Sequence, residues 1–428
     1  MDQITLTPIK HMTGEIRLPG SKSLSNRALL LSALASGSTT LENLLKSEDT
    51  QIMVKALRQL HTTIELSEDW QQCVIHGHSG LFQPPSNTTF FLGNAGTAIR
   101  PLTSILSLIP GTFTVDGDQY MRRRPIAHLV DALAQLGAKI DYLQEDGYPP
   151  LKIIGGDIKA GNVNIEGNIS SQYLTSLLLT LPMLEEHDSR INVFGEQVSK
   201  PYLDLTLDIM QKFGVHATHE DYHTFTIPGG QQYCAPGRYL VEGDASSASY
   251  FFAAAAIAGG PIRVYGIGEN SIQGDIAFLD VIETMGAQVQ RTPDWIEIRG
   301  GQLTAVDLDL NHIPDAAMTV AAMALFARGK TRIRNIYNWR VKETDRMHAM
   351  ATELRKLGAN VDTGEDYLVI DPPDSILPAT IDTYGDHRIA MSFSLAALGD
   401  AEIIINDPDC TAKTFPDYFN VFASLAAP

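Results

Sequence analysis

The feature that most constrains this chain is a repeat. The run Leu57-Arg58-Gln59-Leu60-His61 recurs in segments ending at Gly137, Gly214, Gly286 and Gly358, in steps of 76, 77, 72 and 72 residues from His61. Each copy reads as the C-terminal turn of a helix, usually closed by a glycine in the left-handed backbone region. An alternating strand pattern follows, such as Ala138-Lys139-Ile140-Asp141-Tyr142. A second mark keeps the same period: an acidic residue and an aromatic ahead of a short strand. It occurs as Asp69-Trp70, Asp146-Gly147-Tyr148, Asp221-Tyr222, Asp294-Trp295 and Asp366-Tyr367.

A third mark lies upstream in each copy, where a polar cluster opens an Ala/Leu-rich helix. The six clusters begin at Ser21, Asn94, Ser170, Asp244, Pro314 and Gly385. The helices that follow are apolar on nearly every face, which predicts burial inside a core rather than a place on a surface. Six units of 70–77 residues result, each reading helix, strand, helix, strands. Such a unit is too long for a usual solenoid repeat, so the economical packing is an α/β chain of two lobes with three units each. The sixth unit stops near Leu425 without its last strands, and Ile4-Thr5-Leu6-Thr7-Pro8-Ile9 is the segment available to fill that gap. The predicted lobes are 21–240 and 1–20 with 241–428, hinged near residues 20 and 241.

Composition narrows the partners. With 32 basic and 50 acidic residues the net charge is −18, a field that disfavours nucleic acid and anionic membranes. No apolar run approaches the ~18 residues of a membrane span. The first residues carry neither a signal-peptide nor a transit-peptide pattern, so a cytoplasmic protein is expected. Three cysteines, Cys73, Cys234 and Cys410, are too scattered for a disulfide framework or a zinc site. The twelve histidines suggest no metal-binding pair, so neither a metal nor a cofactor is expected.

Any anionic ligand must then be met by a local group of cations. Lys22, Arg27 and Arg388 stand at or just inside predicted helix starts, beside Asn94, Gly96 and Gln172. Unpaired N–H groups and the helix dipole favour anions at such ends. If the six buried helices run parallel, with their N-termini facing the cleft between lobes, that cleft becomes an anion site. Two basic loops add charge: Arg122-Arg123-Arg124-Pro125 and Arg340-Val341-Lys342-Glu343-Thr344-Asp345-Arg346. The competing reading of each cluster is a plain N-cap, since Ser, Asp and Asn are the common caps.

Long blocks of the chain resemble the 5-enolpyruvylshikimate-3-phosphate synthase family from end to end. They are Leu18-Pro19-Gly20-Ser21-Lys22-Ser23-Leu24-Ser25-Asn26-Arg27, Leu92-Gly93-Asn94-Ala95-Gly96-Thr97-Ala98-Ile99-Arg100-Pro101, and the segment from Asn335 to Arg346. Val241-Glu242-Gly243-Asp244-Ala245-Ser246-Ser247, Tyr384-Gly385-Asp386-His387-Arg388 and Lys413-Thr414-Phe415-Pro416-Asp417 follow in the family's order. The resemblance implies an inside-out α/β barrel in each lobe, built from three βαβαββ-like units. It implies transfer of the enolpyruvyl group of phosphoenolpyruvate to the 5-hydroxyl of shikimate 3-phosphate, with loss of phosphate.

By the same resemblance, Lys22, Asn94, Gly96, Arg124, Gln172, Arg346, Arg388 and Lys413 would take phosphoenolpyruvate. Ser23, Arg27, Ser170, Ser171, Ser199, Tyr202, Asn338 and Lys342 would hold shikimate 3-phosphate, with Lys22 and Asp315. The reaction adds and then eliminates, so it needs an acid and a base. Asp315 and Glu343 are the carboxylates set among cations. Asp315 is expected to take the 5-hydroxyl proton and Glu343 to protonate the methylene, with Lys22 and Lys413 stabilising the departing phosphate. The bland readings are a helix cap for Asp315 and an exposed ion pair for Glu343. His387 is expected to support its neighbours, and Cys410 to be packed rather than nucleophilic.

Two other readings are open. The sister enolpyruvyl transferase acting on UDP-N-acetylglucosamine resembles this pattern, but the loop 116–125 lacks its cysteine and Lys22-Ser23 replaces its Lys-Asn. A non-catalytic phosphometabolite-binding protein would also need the cations, but not both carboxylates. The chain departs from the bacterial family pattern at Gly385 and in the added arginines Arg122 and Arg123. Gly96-Thr97-Ala98 with Pro101 resembles the glyphosate-sensitive form, so glyphosate is an expected inhibitor. A self-contained acidic chain of two lobes is expected to be a monomer.

Overall fold

The structure, a computed structural model, describes residues 2–80, 82, 88–184 and 187–426. The chain forms two compact units, passing from one to the other at Pro19–Gly20 and back at Val241–Glu242.

In the unit from Gly20 to Val241 the sequence repeat becomes three copies of one motif. The second copy shows it whole: strand Thr88–Phe91, helix Gly96–Leu108, strand Gly111–Asp116, helix Ala127–Gln135, and strands Lys139–Tyr142 and Leu151–Gly155. The first two strands pair in parallel, with Thr88 opposite Phe113, and the last two form an antiparallel hairpin added to the second. The third copy repeats this with Asn162–Glu166, Ser189–Phe194, Thr218–Glu220 and Thr224–Ile227. The first copy lacks a preceding strand in sequence. Arg238–Leu240, at the far end of the unit, lies parallel to Ser38–Glu42 and takes that place.

The three copies pack around helices Lys22–Leu34, Gly96–Leu108 and Ser171–Thr180, which are almost wholly buried. Several hydroxyls there return a bond to the preceding turn. Thr103 Oγ1 donates to the Ile99 carbonyl (2.8 Å) and Ser176 Oγ to the Gln172 carbonyl (2.8 Å).

The other unit, residues up to Pro19 with those from Glu242, follows the same plan. Its fourth copy borrows Met12–Arg17, which lies parallel to Gly259–Tyr265. The fifth is complete in sequence, from Asp307–Asp309 to Leu368–Asp371. In the sixth, Gln3–Leu6 pairs antiparallel with Ile403–Asn406, Gln3 opposite Asn406, on the edge away from Ala379–Ile381. The central helices are Ala245–Ala258, Ala317–Met323 and His387–Ser394, and the last two tighten into 3₁₀ turns at Ala324–Phe326 and Leu395–Leu398.

The period's two marks have a backbone origin. Gly137, Gly214, Gly286 and Gly358 all have φ between 79° and 115°, and His61 holds the same place at φ 64°. That conformation turns each helix directly into its hairpin and favours glycine, which has no Cβ to clash. The acidic-aromatic mark is the hairpin turn itself, with Trp70 and Tyr222 both at φ 61°.

Candidate active site

In the unit Gly20–Val241, the first turns of the three buried helices are stitched into a ring. Asn26 Nδ2 donates to Thr97 Oγ1 (2.5 Å), Arg100 Nη1 to Gln172 Oε1 (2.7 Å), and Arg27 Nη2 to Thr175 Oγ1 (3.2 Å). Asn26, Arg27, Gly96, Thr97, Gln172 and Thr175 line one cavity at this end. Arg27, expected for one substrate, thus shares a cavity with Gly96 and Gln172, expected for the other.

The cations here are buried. Arg27 also donates through Nε to Thr206 Oγ1 (2.9 Å) and through Nη1 to the Ser23 carbonyl (3.0 Å), and more weakly to the carbonyl of Tyr202 (3.5 Å). Burial lowers its guanidinium to about 10. Arg124 reaches the Asn94 carbonyl (3.2 Å) and Oδ1 (2.9 Å) through Nη1, and its buried Nε has no hydrogen-bond partner among the described residues. All of these partners are neutral. Lys22 is different: its Nζ lies 3.7 Å from Asp49 Oδ2, and both are buried.

Gly96 starts its helix where a side chain has no room. A Cβ there would stand 2.5 Å from Arg100 Nη1, 2.9 Å from Arg124 Nη2 and 3.1 Å from Gln172 Oε1. Ser170 caps its helix by accepting from the Gln172 amide (3.2 Å), so this cluster carries the bland reading as well as the binding one. Ser171 and Ser199 are buried nearby in sequence, Ser199 in the left-handed region at φ 54°.

In the other unit the centre is Arg346, 1% exposed and the first residue of helix Arg346–Lys356. Its three nitrogens serve three carboxylates: Nε to Asp386 Oδ2 (2.8 Å), Nη1 to Asp315 Oδ1 (2.7 Å) and Nη2 to Glu343 Oε2 (2.9 Å). Burial opposes the charge, but Asp386, Glu343 and Asp315 more than offset it and hold the guanidinium well above its ordinary value. Asp315 Oδ2 meets Arg388 Nη2 at 3.0 Å. Burial alone would raise the Asp315 carboxyl; Arg388, then Arg346 and Lys342, outweigh it and push it far below the carboxylate range.

Neither bland reading of these carboxylates holds. The N-cap of helix Ala317–Met323 is Ala316, not Asp315, and both Asp315 oxygens meet arginines. The Glu343 side chain is only 10% exposed, so its pair with Arg346 is a buried one. Helix ends again gather: Ser249 and Thr319 hydroxyls are 2.8 Å apart, and Arg388 Nη1 approaches Tyr250 Oη at 3.4 Å. Ser249 and Tyr250 are the fifth and sixth residues of their helix, the places that Asn26 and Arg27 hold in theirs. The 3₁₀ turn Tyr337–Val341 carries Asn338 and is tied to the Asp315 segment by Trp339 Nε1, which donates to the Pro314 carbonyl (2.7 Å). Lys413 is buried at the end of the 3₁₀ turn Pro408–Lys413.

Sequence reasoning missed four participants. Asp386 both caps Arg388 (N to Oδ1, 2.9 Å) and holds Arg346, and its place in the 385–388 cluster was the available signal. Arg100 lay inside a quoted block, whereas nothing local marks Asp49. Asp275 is buried, accepts from the Ser246 hydroxyl, and is raised to about 6 by burial and then by the charge of Asp315, against Arg388.

The sequence reading also passed over one metal-like run, His219-Glu220-Asp221-Tyr222-His223. A zinc-binding H-E-x-x-H needs a helix to bring both histidines to one face. Here the run crosses a hairpin turn, with Asp221 and Tyr222 at φ 45° and 61°, and the His219 ring stacks on Tyr222 at 4.2 Å. Among the described residues no group of His, Cys, Asp and Glu has a metal-binding arrangement, and no helix is long and apolar enough to cross a membrane. Burial raises the Cys410 thiol to about 12, so it is a packed side chain rather than a nucleophile.

Known proteins place this architecture. The pattern of the EPSP synthase (3-phosphoshikimate 1-carboxyvinyltransferase) family matches residues 6–422. A 3-phosphoshikimate 1-carboxyvinyltransferase of Vibrio cholerae is 57% identical over 426 residues, covering 100% of both chains. One from Sulfurovum sp. is 57% identical over 427 residues, again covering 100% of both. Among solved structures, an EPSP synthase of Acinetobacter baumannii matches with a TM-score of 0.84 at 26% identity, over 100% of this chain and 98% of that one. The enolpyruvyl transferase NikO of Streptomyces tendae, at 18% identity and a TM-score of 0.80 over 100% and 98%, shares the fold. With six βαβαββ-like copies, the sixth on a three-stranded sheet, buried cations near helix starts and a match across nearly its whole length, the chain belongs to the EPSP synthase family.

Proposed function

We propose that this protein transfers the enolpyruvyl group of phosphoenolpyruvate to the 5-hydroxyl of shikimate 3-phosphate and releases phosphate, a step toward the aromatic amino acids. The observation that carries the reading is the pair Arg27 and Arg124: buried guanidiniums, one in the second turn of a buried helix and one just after the 3₁₀ turn Met121–Arg123, whose hydrogen-bond partners among the described residues are all neutral. A buried cation without a counter-charge is costly unless an anion completes it. Phosphoenolpyruvate and shikimate 3-phosphate each bring a phosphate and a carboxylate, which Arg binds through its planar fork.

Lys22, Asn94, Gly96, Arg124, Gln172, Arg346, Arg388 and Lys413 take phosphoenolpyruvate. Ser23, Arg27, Ser170, Ser171, Ser199, Tyr202, Asn338 and Lys342 hold shikimate 3-phosphate, joined by Lys22 and Asp315. The 5-oxygen bonds to C2 of phosphoenolpyruvate and gives up its proton, while C3 gains one from Glu343. The resulting ketal returns a C3 proton to the Glu343 carboxylate and loses its bond to phosphate, leaving the enol ether; Lys22 and Lys413 neutralise the leaving oxygens. Asp315 is a poor base while Arg346 and Arg388 hold both of its oxygens. When those arginines turn to the anions of phosphoenolpyruvate, the carboxylate loses counter-charge and becomes able to take the 5-hydroxyl proton.

Phosphate release by the purified protein tests the proposal, with each substrate omitted in turn. Release that requires both substrates is expected. Binding of both without release would replace the reading with a phosphometabolite-binding one, and release with UDP-N-acetylglucosamine as acceptor would move it to the sister reaction. Glu343→Gln should bind both substrates and turn over poorly; near-full turnover would remove Glu343 from the proton transfers. Glyphosate should compete with phosphoenolpyruvate, and sedimentation should give a monomer.

A further inference from the structure

We propose that Arg122 and Asp116 form a clamp that sets the position of Arg124, so that Arg122 is a positioning residue for the phosphoenolpyruvate subsite. The proposal rests on the assignment of Arg124 to that subsite. Asp116 is the last residue of strand Gly111–Asp116, and Arg122 is the middle residue of the 3₁₀ turn Met121–Arg123. The guanidinium grips the carboxylate through two parallel bonds, Nε to Oδ1 (3.0 Å) and Nη2 to Oδ2 (2.6 Å). A two-point fork fixes orientation as well as distance, which a single lysine contact would not.

The pair closes a short loop that is also tied through the Asp118 side chain and through backbone bonds. Asp118 Oδ1 accepts from the amides of Tyr120 (2.9 Å) and Met121 (2.8 Å), and the Asp118 amide donates to the Gly93 carbonyl (3.2 Å). The Arg124 amide donates to the Met121 carbonyl (3.0 Å), which is how the turn gripped by Arg122 delivers the next-but-one arginine. On the far side of Arg124, the Pro125 carbonyl is held by Tyr173 Oη (2.7 Å) and Arg100 Nη2 (3.3 Å). That side is anchored to the buried helices. The near side has the Arg122–Asp116 fork and the Met121 side chain, which is 1% exposed. Arg123, by contrast, points to solvent and has no ion pair among the described residues. The two arginines that set this loop apart from the family pattern therefore differ in role.

The test compares Arg122→Ala, Asp116→Asn and the exchanged pair Asp116→Arg with Arg122→Asp, with Arg123→Ala as the control. In steady-state phosphate release, each single variant of the pair should raise KM for phosphoenolpyruvate about 2- to 5-fold, the range of a partly exposed ion pair. KM for shikimate 3-phosphate and kcat should hold, Arg123→Ala should match the wild type, and the exchanged pair should recover most of the loss. Wild-type parameters in Arg122→Ala, or a loss that the exchange does not relieve, would overturn the clamp. Amide hydrogen exchange over 117–124 reads the clamp without substrate. Protection should fall in Arg122→Ala and return in the exchanged pair; unchanged protection overturns the clamp even if the wild type releases no phosphate, an outcome that would count against the transferase reading alone.

Discussion

Arg346 and Asp315 are 31 residues apart in sequence, yet Arg346 Nη1 donates to Asp315 Oδ1 at 2.7 Å with both side chains withdrawn from solvent. The bond joins the loop before one helix to the first residue of another. Three carboxylates converge on that one guanidinium, so its removal leaves buried negative charge that Arg388, paired with Asp315, offsets only in part. Arg346→Met should destabilise its unit by about 3–5 kcal/mol, the usual cost of breaking a buried pair from one side. Thermal unfolding followed with the paired Asp315→Asn background checks this: the double variant should lose less than the sum of the two single ones.

Asp275 carries the opposite shift to Asp315. Its carboxyl is raised to about 6 in the folded protein, first by burial and then by Asp315, from an unfolded value near 4. Between those values the folded state holds a proton that the unfolded state has released, so stability falls as pH rises through that window. Asp275→Asn keeps an acceptor for the Ser246 hydroxyl and has no charge to bury. Its melting temperature should exceed the wild-type value at pH 8 and lie close to it at pH 4. An equal gain at both pH values would mean that ionisation of Asp275 is not the cause.

How far the sequence could be read depends on where a strand finds its partner. The helix ends at His61, Gly137, Gly214, Gly286 and Gly358 were visible because one backbone conformation recurs, and the structure gives all five positive φ. The borrowed strands were harder. Gln3–Leu6 could be placed because the sixth unit visibly lacked its ending, and it does pair with Ile403–Asn406. Arg238–Leu240 and Met12–Arg17 were not assigned, since each pairs with a strand more than 190 residues away and no local period marks them. In the site, Lys22, Arg27, Arg124 and Arg346 stood out as cations against a net charge of −18. Asp49 and Asp275 did not, because an acid in an acidic chain gives no signal until burial singles it out.

Gly96 is open to a small, local test. A methyl group there would press on Arg100 Nη1, Arg124 Nη2 and Gln172 Oε1, all at the far ends of flexible side chains. The fold can yield at such atoms, so Gly96→Ala should melt within a few degrees of the wild type. The displaced guanidinium of Arg124 is what the proposed phosphoenolpyruvate subsite needs in place, and KM for that substrate should rise about tenfold or more. An unchanged KM would place the substrate elsewhere.

Trp339 offers the last prediction. Its ring is fully buried, and its Nε1 hydrogen bond to the Pro314 carbonyl ties the turn bearing Asn338 to the segment bearing Asp315. Trp339→Phe keeps an aromatic ring, removes the donor and leaves a buried carbonyl short of a partner, at a cost of about 1–3 kcal/mol. A purely structural role would end there. If the bond also fixes Asp315 against Glu343, kcat should fall further than the stability loss explains at temperatures where the variant is fully folded. Replacing Trp339 with benzothienylalanine, which keeps the shape of the indole but has sulfur in place of N–H, separates the two: kcat should drop as in Trp339→Phe, while most of the packing stability returns. Wild-type kcat in the sulfur analogue would confine Trp339 to packing.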